Sequence, residues 1–177
     1  MNELKEQSLY KNFSNLNGLD FDFNGLSNFL DKYNLATKIS SNYNNDFITE
    51  AVYQCRGVHT TPEFAPINEE IEKKFNPNGT ASDLDLFFSM VSGAKSITHV
   101  DACDVCVLNL CGIVHYRLGE ESFQLGRGDL LVIPANITHK AIGLTPRITA
   151  SYATFSGKSP LSFEEQVNAR RQLGMDV

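Results

Sequence analysis

The chain has no run of the roughly 18 consecutive apolar residues that a membrane-spanning helix needs. Its first residues, MNELKEQSLYKNF, lack the apolar core of a signal peptide, so a cytoplasmic location is expected. Basic residues are in deficit, 15 Lys+Arg against 21 Asp+Glu, for a formal net charge of -6. That balance disfavours a broad surface for nucleic acid or anionic membrane, and neither partner is expected. Cysteine is scarce. The four residues Cys55, Cys103, Cys106 and Cys111 fit free thiols of a reducing compartment better than a disulfide scaffold. Apolar content is not lacking. With 42% hydrophobic and 20% charged residues over 177 positions, wholesale disorder is excluded and one domain can bury a core.

The pattern along the chain divides it into three. Residues 1–80 read as an extension of helices and strand that packs on a barrel. Within it, Leu26, Phe29, Leu30 and Tyr33 recur at helical spacing behind Asn24 as N-cap. Residues 46–58 look like a strand, and Ile67, Ile71 and Phe75 mark a second helix from about Pro66 that NPNG ends. The aromatic-rich start (Tyr10, Phe13, Phe21, Phe23, Phe29) is read as a cap over one side of the core. Residues 81–157 are a series of short apolar or alternating runs: DLDLFFSMV, DVCVLNL, IVHYRL, SFQL, DLLVIPA and ITASYATF. Glycines separate them, and no long helix alternates with them. That rhythm is mainly β, a jelly-roll barrel or sandwich rather than a doubly wound sheet. Residues 158–177 hold a short C-terminal helix, with Ser162 and Glu165 as a capping box.

Three residues in the barrel segment carry metal chemistry by type and spacing. His99 and Asp101 are two apart, so on extended backbone their side chains point the same way. His139 comes after the apolar run and a turn at Pro134–Asn136, where an antiparallel barrel can return it beside the first pair. Two imidazoles and one carboxylate make a facial triad, which leaves open positions on an octahedral ion. Non-haem Fe(II) is its usual occupant.

The surrounding pattern adds a resemblance. From Gly93 the chain reads G-x5-H-x-D, passes Gly112, and 15 residues later reads G-x5-P-x-N-x2-H. This resembles the two motifs of the cupin superfamily. Asp101 stands in place of a second histidine, Val105 or Cys106 falls where the third-ligand glutamate is usual, and Asn136 replaces a glycine. The segment SDLDLFFSMVSGAKSITHVDACDVCVLNLCG, with GDLLVIPANITHKAIG and ITASYATF, is more closely similar to the JmjC-type hydroxylases, especially their ribosomal-oxygenase branch. The likeness covers about residues 83–156. It implies a double-stranded β-helix, bound Fe(II), 2-oxoglutarate as cosubstrate, O2, and hydroxylation of a C–H bond. It also implies His99, Asp101 and His139 as iron ligands, with Ser96 and Asn109 near the cosubstrate. The family's basic residue for the distal carboxylate of 2-oxoglutarate falls here on Val114. Arg147, in R-I-T, resembles the anchor of other branches; Arg117 is a second candidate, though strand parity turns it outward.

Three functions are compatible with these residues. The first is an Fe(II)/2-oxoglutarate hydroxylase acting on a small molecule or amino acid. The second is an iron cupin (dioxygenase, lyase or isomerase) that dispenses with 2-oxoglutarate, which Val114 favours. The third is a non-enzymatic ligand-binding cupin. A homodimer is expected by analogy. Cys103-x2-Cys106 is read as core packing before zinc or redox work. His115 is read as a surface or sheet-packing residue, and Arg56 and His59 as a solvated turn in preference to a pocket mouth.

Overall fold

Alternating burial along 84–89, 114–118 and 139–143 leaves one side of each segment against a core and the other facing outward, the mark of strands in stacked sheets. The computed structural model describes residues 8–14, 16, 19, 21–35, 39–41, 52–77 and 84–154. Its elements in chain order are β1 (Ser8–Tyr10), α1 (Phe23–Lys32), β2 (Ile39–Ser41), β3 (Tyr53–Cys55), a 3-10 turn (Val58–Thr60), α2 (Ala65–Phe75), β4 (Leu84–Ser89), β5 (Asp104–Cys111), β6 (Val114–Leu118), β7 (Glu121–Leu125), β8 (Leu130–Ile133), β9 (His139–Gly143) and β10 (Arg147–Thr154). The larger sheet has the order β1-β8-β5-β10-β4-β3-β2 and the smaller one β7-β6-β9.

The chain alternates between the two sheets. From β4 it crosses to bridges of Lys95 with Ile142 and His99 with His139, returns to β5, crosses to β6 and β7, and repeats through β8, β9 and β10. Every strand pairing among the described residues is antiparallel. This winding is a double-stranded β-helix, as the sequence resemblance implied. Its interior has an apolar cluster: Val105, Val107, Leu131 and Ile133 of the larger sheet pack on Val114, Tyr116, Leu118, Leu125 and Ala141. The turn from β5 to β6 depends on glycine at 112. Its φ is +75°, and a Cβ there would strike the Pro146 carbonyl.

The opposite side of the larger sheet is covered by the N-terminal elements. Cys106, Leu108, Leu110, Ile148, Ala150 and Tyr152 pack under Leu26 and Phe29 of α1 and Ile67, Ile71 and Phe75 of α2. Phe64 meets Phe21 at 5.0 Å and Phe29 at 5.3 Å between ring centroids, both edge-on. The early aromatic residues therefore do form a cover, and it lies on a sheet face.

Several local expectations are corrected. The N-cap of α1 is Asp22, whose Oδ1 accepts from the Gly25 N–H at 2.8 Å; Asn24 lies inside the first turn. The strand expected over 46–58 is confined, among the described residues, to Tyr53–Cys55. Gly57, at φ 70°, turns the chain into the adjoining 3-10 segment. β9 is a strand where the sequence marked only a turn, because its period of two spans five residues interrupted by Lys140 and Ile142. The helix expected at 158–177, with Ser162 and Glu165, lies outside the described residues.

Candidate metal centre

The backbone brings the two histidines together. His99 N–H donates to the His139 carbonyl at 3.0 Å, and His139 N–H donates to the His99 carbonyl at 2.8 Å. A directly opposed antiparallel pair puts both side chains on the same face, and the rings lie 4.2 Å apart. Asp101 lies beyond the bridge rather than on a regular strand. Its carbonyl accepts from Asn136 N–H at 2.8 Å. Asn136 holds φ 64°, a left-handed turn position that asparagine tolerates, which explains how it replaces glycine.

Each imidazole has a fixed tautomer. His99 Nδ1 lies 2.8 Å from the Ile97 carbonyl and His139 Nδ1 lies 3.0 Å from the Ile137 carbonyl. A carbonyl only accepts, so both Nδ1 atoms carry protons and both Nε2 lone pairs are left for another partner. Those Nε2 atoms face Asp101 Oδ2, at 3.9 Å from His99 and 3.4 Å from His139. Both distances are long for a hydrogen bond. One donor atom from each residue lies within 4.8 Å of the others. Donors about 2.1 Å from an octahedral ion, at right angles, sit about 3 Å apart, so a small inward adjustment of the side chains suffices. Burial holds the His139 pKa below the ordinary histidine value, and His99 adds to this against smaller pulls from the Ile137 carbonyl and Asp101. The donor set is two neutral nitrogens and one carboxylate, which fits a divalent first-row ion with open positions.

The remaining sequence candidates divide. Ser96 lies beside the bridge, where its Oγ accepts from Ala141 N–H at 2.9 Å. Asn109 is fully buried on the inward face of β5. Its amide donates to the Gly112 and Leu125 carbonyls at 2.8 and 3.3 Å, and its Oδ1 meets no partner. What it offers a ligand is an acceptor, since its donors are spent. Arg147 opens β10 at 2% exposure, with Nη1 donating to Thr149 Oγ1 at 3.1 Å. Arg117 is exposed and points outward. His115 is half-buried on β6, Arg56 is exposed, and His59 sits half-buried in the 3-10 turn. Cys106 packs in the helix-covered core while Cys103 packs against the barrel interior, so the C-x2-C pair does not converge. Burial, with Asp101 and Asp104, pushes the Cys103 thiol up to about 12, far from a thiolate ligand. Tyr116, which the sequence did not single out, and Thr149, the threonine of R-I-T, also turn inward near Arg147. Parity with Val114 was the one signal that could have found Tyr116.

No family model matches this sequence, and no curated protein matches it. Among solved structures, YcfD, a ribosomal oxygenase from Escherichia coli, is similar in its complex with cobalt and 2-oxoglutarate, with a TM-score of 0.66 and 19% identity. That match covers 98% of this chain and 55% of YcfD. The YcfD complex with cobalt and succinic acid gives a TM-score of 0.64 and 18% identity over 97% of this chain and 54% of the other. The two proteins share the double-stranded β-helix fold. This chain spans about half the length of YcfD, and at such identity the likeness concerns architecture.

Proposed function

We propose that the chain is a non-haem Fe(II)- and 2-oxoglutarate-dependent oxygenase that hydroxylates a C–H bond. The observation that carries this reading is the convergence of His99, Asp101 and His139, with both Nε2 lone pairs turned to one carboxylate and no hydrogen bond among them. These three side chains would hold the iron. When bound, Fe(II) with 2-oxoglutarate and O2 supplies oxidative decarboxylation coupled to hydroxylation. The chain's own residues bind and orient. The carbonyls of Ile97 and Ile137 keep the imidazoles in the ligating tautomer. Arg147 neutralises the distal carboxylate of the cosubstrate, and Ser96, whose hydroxyl proton is not used in its bond to β9, can donate to an oxygen near the iron. Asn109 presents its free Oδ1 to the same interior.

Arg147 speaks against an iron cupin that dispenses with 2-oxoglutarate. A buried guanidinium without an acidic partner is costly unless an anion joins it. The substrate reading shifts as well. A small molecule or amino acid was expected, but the YcfD that the chain resembles is a ribosomal oxygenase. His99 and Asp101 side chains are 23% and 30% exposed, so the triad is open to solvent on one side. Both points favour an amino-acid side chain carried on a macromolecule.

Anaerobic titration with Fe(II) and then 2-oxoglutarate tests the reading. A weak visible charge-transfer band after the second addition is expected. Iron binding without that band favours the cupin that needs no cosubstrate, and absence of iron binding leaves only a ligand-binding barrel.

A further inference from the structure

Deeper in the barrel than the triad, a cation is buried with no acidic side chain paired to it among the described residues. Arg147 is 2% exposed, and its Nε, also buried, has no hydrogen-bond acceptor. The titratable neighbour that acts on it is the Tyr116 phenol, which is itself buried and near Thr149. Strand register sets the depth. β6 pairs with β9 as Leu118 with His139, Tyr116 with Ala141, and Val114 with Gly143. Four residues of strand, about 13 Å, therefore separate the His139 level from the Gly143 level. Tyr116 stands between them.

Gly143 is where the arginine passes. A Cβ on it would lie 3.2 Å from Arg147 Cδ, 3.3 Å from Arg147 Nε and 3.1 Å from the Thr145 carbonyl oxygen. Gly143 is not among the positive-φ glycines. What it supplies is space for the arginine stem rather than backbone freedom. Val114, its register partner, is fully buried and apolar, so the cation comes from β10 alone.

We propose that Gly143 is a specificity-determining residue: the missing side chain seats the Arg147 stem so that the guanidinium, with Tyr116 and Thr149, receives the distal carboxylate of a 2-oxo dicarboxylate. This rests on the oxygenase reading and deepens it. An acid that chelates at the triad and carries a second carboxylate directs that group toward the guanidinium. The same head group without that carboxylate leaves the charge buried and unpaired.

Calorimetric binding with Mn(II) in place of iron tests this without turnover. The probes are 2-oxoglutarate and 2-oxobutyrate, which share a chelating head and differ at the distal end. The wild-type chain is expected to prefer 2-oxoglutarate by about ten- to a hundred-fold, the worth of a charge-assisted bond. Gly143→Ala narrows the preference several-fold, and Gly143→Val and Arg147→Ala abolish it, with Mn(II) affinity unchanged as proof of folding. Adding Val114→Lys to Arg147→Ala restores it from the opposite strand. Full preference in Gly143→Ala, and in any Gly143→Val that still binds Mn(II), overturns the proposal, as does a wild type that binds Mn(II) and shows no preference. If the wild type binds no metal, the oxygenase reading falls by itself. Thermal stabilisation of the metal-free protein by glutarate then decides: loss of the shift in Gly143→Ala supports the carboxylate site, and an absent or unaltered shift removes it.

Discussion

Replacing Arg147 with methionine removes a buried charge that has no acidic partner among the described residues. The ligand-free protein is expected to gain about 1 kcal/mol or more in urea unfolding, because desolvation of a charge outweighs one bond to Thr149. In the metal-free protein the same variant should lose all stabilisation by 2-oxoglutarate, and a drop in ligand-free stability would show the guanidinium to be structural. His139 gives a pH prediction. Its folded pKa lies below the ordinary value, chiefly through burial, so the unfolded chain binds the proton first as pH falls. Ligand-free stability should be level above the ordinary imidazole range of about 6.5 and decline as pH drops below it. Metal affinity should fall with it, since metal and proton compete for the same lone pair. Asp101→Ala should weaken Mn(II) binding by at least about a hundred-fold while leaving the fold intact, read by calorimetry and circular dichroism.

At the scale of elements, β1 is a three-residue strand on the open edge of the larger sheet, and one carboxylate secures it. Asp129 Oδ2 accepts from Lys11 Nζ at 2.6 Å and Gly126 N–H at 2.8 Å, and Oδ1 accepts from Asn12 N–H at 3.1 Å. Burial raises its pKa, but these donors together lower it further and the net shift is downward. Its contribution is therefore present above the ordinary carboxylate value and lost as pH falls through the lower folded one. Asp129→Ala leaves two backbone donors short of a partner and should cost about 3 kcal/mol in chemical denaturation. Element identity was largely legible beforehand: β4, β5, β6, β7, β8 and β10 coincide with the apolar runs, and α2 with the four-residue spacing of Ile67, Ile71 and Phe75. β9 was missed because a five-residue strand with Lys140 and Ile142 facing out carries little pattern. The cap of α1 was misplaced because Asp22 and Asn24 are both acceptable cap residues, and only the Gly25 N–H direction separates them.

For the whole molecule, the proposed cosubstrate and metal sites, at two depths of one barrel, predict ligand-linked stability. At a hundred times the dissociation constant, bound ligand adds about 2.7 kcal/mol, so Mn(II) with 2-oxoglutarate should raise the melting temperature and a chelator should reverse the rise. Phe64→Ala, in the aromatic cover, should lower stability by about 3–5 kcal/mol in the ligand-free protein and leave that increment unchanged. The sequence by itself determined the class of fold and the residue types of the candidate metal centre. Alternation of period two and glycine spacing are local properties, and H-x-D needs only extended backbone to present two side chains together. Tertiary structure decided what local pattern cannot carry. The pairing of His99 with His139 joins residues 40 apart in the chain. The solitude of the Arg147 charge depends on which side chains from β6, β9 and β10 share one interior, and that is a property of strand register across two sheets.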